Sequence, residues 1–215
     1  QTSIYTALNS VFLAVTASVG DLNTTKDKKH LYDIFKMMYF LCFWMFGYAS
    51  VAFFTLYNPF ILLWTGREDY IFPMPIVSLI VINFYFFGMR RVTLTFRDAM
   101  GLYYYDRYKP LFEAVINLVV SLVLVQKIGI AGIFIGTLVS TLSTCFWIEP
   151  LVTFRYGFER KVGEYFRSFL LYTGFTVIAG GISYLLAAGF AAGGVLEVFT
   201  KLVIITVVYN LLVFL

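Results

Sequence analysis

Residues able to do chemistry are few in this chain, and most stand inside apolar runs. One run, Ile76 through Phe96, holds Asn83, Arg90 and Arg91, and Arg97-Asp98 follow at its end. At 100° per residue, Asn83, Arg90 and Arg97 share one helical stripe, seven residues apart. Arg91 and Asp98 form a neighbouring line with the same spacing. Arginine at the centre of a bilayer costs ~2.5–3.5 kcal/mol on insertion scales. Snorkelling over the last two turns to the helix end would lower that cost. Two readings are open: arginines that only mark a membrane face, and arginines that line a cavity. The stripe favours the cavity, because a lipid-facing snorkeller needs no polar partner along its own face. There a guanidinium suits bidentate capture of phosphate oxygens. Arg90, Arg91, Arg97 and Asn83 are therefore candidate substrate contacts.

A second polar line lies on the next run, at Glu113, Asn117 and Ser121, behind Pro110 at a helix start. A polar stripe in lipid must face protein or water. Interhelical hydrogen bonds, at ~0.6 kcal/mol each, would use Asn117 and Ser121. Asn117 is also a candidate substrate contact. Glu113 is expected either to pair with an arginine or to carry a proton. Glu149 precedes Pro150, which removes a backbone donor and kinks a helix. With Asp98 and Glu113 it completes the candidate set for proton or ion coupling. His30 is the only histidine and no CxxC occurs, so no metal site is expected. Cys42 and Cys145 read as buried thiols. No nucleotide-binding loop, Ser-His-Asp set or EF-hand pattern occurs, and neither a cofactor nor enzymatic chemistry is expected.

The elements that must position these residues follow from composition. Of 215 residues, 60% are hydrophobic and only 13% charged. Soluble domains carry about 25% charge, so so little charge excludes soluble, disordered and coiled-coil classes and leaves an all-α polytopic membrane protein. Spanning helices are expected near 3–20, 35–57, 75–96, 110–126, 130–153, 168–190 and 195–215, about seven in all, the first and last truncated. Thirteen of the sixteen basic residues fall in the polar regions 21–36, 90–109 and 155–167; the rest are Arg67, Lys127 and Lys201. The two groups alternate along the runs, so the first faces the cytoplasm. Anionic headgroups account for the net charge of +4 with no nucleic-acid partner. Tyr103, Tyr104, Tyr105 and Tyr108 cluster on that side, as interface residues or as stacking faces for a sugar. Gly132, Gly136, Ser140 and Thr144 repeat every four residues, a stripe that lets a neighbouring helix come close.

Several strings carry a family resemblance. They are Asn58-Pro-Phe-Ile-Leu-Leu-Trp-Thr-Gly66, Leu94-Thr-Phe-Arg-Asp-Ala-Met-Gly-Leu102, Asp106-Arg-Tyr-Lys-Pro110, Gly129-Ile-Ala-Gly-Ile-Phe-Ile-Gly-Thr137 and Trp147-Ile-Glu-Pro150. Together they resemble Wzx-like oligosaccharide flippases, the polysaccharide-transporter branch of the MATE-like flippase superfamily. The resemblance implies a fourteen-helix protein of two lobes, of which this chain would be helices 8–14. Residues 1–158 would be helices 8–12 and residues 159–215 helices 13 and 14, with the N-terminal half missing. It also implies export of a polyprenyl-diphosphate-linked oligosaccharide across the bacterial plasma membrane for capsule or exopolysaccharide synthesis, by alternating access coupled to ions or protons. The expected partners are that lipid-linked oligosaccharide, membrane lipids and the missing half. The competing classes are a multidrug exporter of the same superfamily, an integral-membrane glycan polymerase or ligase, and a scaffold.

Overall fold

The structure, a computed structural model, describes residues 28–190 and 193–215. These residues are helical, with no strand among them, and six helices are long and apolar enough to cross a membrane. They are α1 Lys28–Thr65, α2 Met74–Ala99, α3 Lys109–Ile128, α4 Ala131–Phe158, α5 Gly163–Ala188 and α6 Gly194–Phe214. Helices of this length and composition, with short links, mark a multi-pass membrane protein. The expected span at 3–20 lies outside the described residues.

The other six spans are present, and the largest departure is at α1. Expected over 35–57, it runs 38 residues, about 57 Å at the helical rise. At its start, Leu31, Phe35, Met38 and Cys42 are buried at helical spacing, and this buried stripe carries the helix back into the lysine-rich segment. At its far end it continues through Pro59 to Thr65, although Asn58-Pro59 reads as the start of an outer loop. A proline inside a spanning helix is tolerated where neighbouring groups re-satisfy the backbone. The link to α2 is therefore shorter than expected, residues 66–73. Leu102–Tyr104 forms a short 3-10 turn, so α3 starts at Lys109 and does not extend back through the tyrosines.

The described chain divides into two compact units. The first comprises residues 28–43 and 86–167, the second 44–85 and 168–215 without 191–192. The first unit has an aromatic core, in which Phe35 meets Phe96, Phe154 and Phe158 edge-on at ring-centroid distances of 5.1–5.4 Å. Edge-to-face pairs of this kind add ~0.5–1.5 kcal/mol each beyond burial. Tyr32 donates to Glu164 at 2.7 Å, and the Cys42 thiol donates to the Gly88 carbonyl at 3.0 Å. In the second unit, Val51, Ala179, Ile205 and Tyr209 form the core. Trp44 donates to Asn210 at 2.8 Å, and the Tyr48 and Thr206 hydroxyls lie 2.7 Å apart.

α3 and α4 pack closely in the first unit. Gly129, at φ +62°, closes the turn between them. A Cβ at Gly132 would run into the Leu124–Val125 backbone, and one at Gly136 into Ser121. The small-residue stripe is thus a packing face, and Gly132, Gly136, Ser140 and Thr144 are all buried. The rest of α3 presents Leu111, Phe112, Val115, Leu118 and Leu122 outward, a surface suited to lipid.

Candidate functional site

The α3–α4 register builds the site. The two helices run antiparallel, with Leu124 and Val125 against Gly132 and Ser121 against Gly136. Carried down the pair, that register sets Lys109, at the start of α3, beside Glu149. α4 is not a regular helix: π-helical turns occupy Thr141–Cys145 and Thr153–Phe158. Such a turn takes in an extra residue. Through the first of these turns the buried face runs on as Thr141, Cys145 and Glu149, four residues apart.

Glu149 is fully buried, and three cationic contacts converge on it. Arg90 donates from Nε to Oε2 at 3.0 Å and from Nη2 to Oε1 at 2.6 Å, a bidentate pair. Lys109 Nζ donates to the same Oε1. Arg90 Nη1 also faces Glu113 Oε1 at 3.6 Å, and the Glu113 side chain is 30% exposed. Lys109 in turn lies 3.8 Å from Asp106 Oδ2. Asp106 accepts from Arg97 Nη1 at 2.6 Å, and Arg97 grips Asp98 from Nε at 2.9 Å and Nη2 at 2.6 Å. The result is a ladder of alternating charge, Glu113–Arg90–Glu149–Lys109–Asp106–Arg97–Asp98. It starts inside the membrane-spanning part of α2 and reaches the end of that helix.

The structure brings together five of the eight residues expected from sequence: Arg90, Arg97, Asp98, Glu113 and Glu149. Of the two roles left open for Glu113, it places this carboxylate beside an arginine. Arg91 is half-buried, about 100° around α2 from Arg90. Asn83 donates to the Leu79 carbonyl of its own helix at 2.8 Å. Asn117 accepts from Ser121 at 2.9 Å, one turn away. Sequence reasoning missed Asp106 and Lys109, the rungs that join the two arginines. Their three-residue spacing ahead of Pro110 was the available signal: it sets a carboxylate and an ammonium on either side of a helix start.

Inside a membrane such a ladder is held together by its pairing. A buried charge without a partner costs several kcal/mol, so each member is bound to its neighbours' positions. The arrangement can bind oxyanions if the arginines exchange carboxylate for phosphate. It can also carry charge if a carboxylate is released. No protein-family model, curated protein or solved structure matches this chain.

Proposed function

We propose that this chain is part of a flippase moving polyprenyl-diphosphate-linked oligosaccharide repeat units across the bacterial plasma membrane for capsular or exopolysaccharide synthesis. The observation that carries the reading is the bidentate Arg90–Glu149 pair between two membrane-spanning helices. Ionisable groups at such depth default to function, and the carboxylate fork that Arg90 now grips has the geometry of a phosphate edge. In this reading the diphosphate takes the place of a carboxylate on Arg90 and Arg97 when the protein opens, with Arg91 and Asn117 as further contacts. The displaced carboxylates, Glu149, Glu113 and Asp98, then exchange protons or cations. Each charge moved through 100 mV contributes ~2.3 kcal/mol to the cycle. The sequence resemblance to Wzx-like flippases supports the same substrate class.

A drug exporter for organic cations fits less well, since two cations already occupy Glu149. A polymerase or ligase needs long loops to hold acceptor sugars, and the links 66–73 and 129–130 are short.

Deleting the gene in its own host tests the proposal. Surface polysaccharide is expected to disappear while lipid-linked oligosaccharide accumulates on the cytoplasmic face. The wild-type gene should restore export and an Arg90→Lys version should not, because lysine keeps the charge and loses the fork. Unchanged surface polysaccharide in the deletion strain would overturn the reading.

A further inference from the structure

A second group of arginines lies outside the ladder and is held differently. The link between α2 and α3 carries Tyr103, Tyr104, Tyr105, Arg107 and Tyr108, all exposed. Tyr105 stacks on Tyr156 of α4, ring centroids 3.9 Å apart and planes within 10°. Tyr104 meets Tyr105 edge-on at 6.0 Å. Arg107 lies 4.6 Å from the Tyr104 ring and 4.8 Å from the Tyr108 ring, and Arg155 lies 5.5 Å from Tyr156. The rings thus form one array that holds two guanidinium groups.

This array is fixed in place. Asp106, in the middle of the link, is buried on Arg97, and Leu102 is buried beside it. The arginines of the ladder have carboxylate partners. Arg107 and Arg155 make no ion pair with a carboxylate among the described residues. Aromatic faces orient a guanidinium without using its N–H groups, so both arginines keep their donor edges for an outside acceptor. Bidentate N–H edges fit phosphate oxygens. The positive-inside rule puts this link and the end of α4 at the cytoplasmic interface, where tyrosine rings settle at headgroup depth.

We propose that the Arg155–Tyr156–Tyr105–Tyr104–Arg107–Tyr108 array binds the phosphate groups of anionic phospholipids in the cytoplasmic leaflet. The assignment is independent of what the protein transports. The array is open and lies where helix ends meet headgroups, which favours a lipid over a soluble phosphate.

The test is lipid retention by the whole chain, measured by native mass spectrometry after reconstitution with equal phosphatidylglycerol and phosphatidylcholine. The wild type should retain phosphatidylglycerol preferentially. R107Q/R155Q should lose about fivefold of that preference per arginine, from ~1 kcal/mol for each basic residue near an anionic surface, at unchanged helix content. K28Q/R160Q is the comparison, since those cations are already paired with Glu159 and Glu164; it should change the preference less than twofold. Equal losses in the two variants, or no loss in R107Q/R155Q, would overturn the proposal. If R107Q/R155Q does not fold, Y104L/Y108L removes the rings around Arg107 and keeps every charge; an unchanged preference there would also overturn it. Inorganic pyrophosphate binding the lipid-free protein as tightly as the lipid would overturn the lipid assignment.

Discussion

Arg90 sits nine residues from the end of α2, about 13 Å along the axis, too deep for its charge to be left to water. Its energetics are those of a buried pair: the pair gains little over an apolar replacement, whereas losing one partner costs ~3–5 kcal/mol because the other charge stays behind. Arg90→Gln and Glu149→Gln are each expected to destabilise the protein by that amount in reversible unfolding from mixed micelles. The double variant should recover part of the loss, giving a coupling well outside additivity. Glu113→Gln should cost ~1 kcal/mol or less, since Glu113 is partly exposed and stands 3.6 Å from Arg90. The stripe of Arg90 and Arg97 was legible from spacing alone. Their partners were not, because Glu149 and Asp106 reach them from other elements.

α3 and α4 show how a helix pair sets a site at a distance. Gly136 lets α4 come within contact of Ser121, and that approach aligns Lys109 with Glu149 further along. Gly136→Val should lower stability by ~1–3 kcal/mol through overpacking, with a lower thermal midpoint and a weakened Lys109–Glu149 contact. Gly181 is the matched control: a Cβ there meets nothing within 4 Å. Gly181→Ala should be neutral or raise the midpoint, alanine being the better helix former by ~1 kcal/mol. The small-residue stripe announced the packing face in the sequence. That Glu149 lies on the same buried face did not announce itself, because spacing alone does not say which side of an apolar helix packs inward. The end expected at residue 57 fell short in the other direction, since Pro59 is carried through in a spanning helix.

At the scale of the whole molecule, alternating charge predicts the sidedness of every link, and impermeant maleimide labelling of single cysteines checks it. Cys42 and Cys145 are buried and should stay silent. Glu68→Cys is expected to label from outside in intact cells, and Lys161→Cys only after the membrane is opened. The reverse pattern would invert the topology and move the ladder's open end to the other face. Sequence by itself determined the class, the helices and the charge asymmetry, because apolar length and basic-residue placement are one-dimensional quantities that the bilayer reads directly. Only the tertiary structure decided which charges are partners. Pairing depends on interhelical register and on how the chain turns between one helix and the next. A buried ion must find its counter-ion wherever the packing puts it, so the seven-residue ladder emerges from four separate segments of chain.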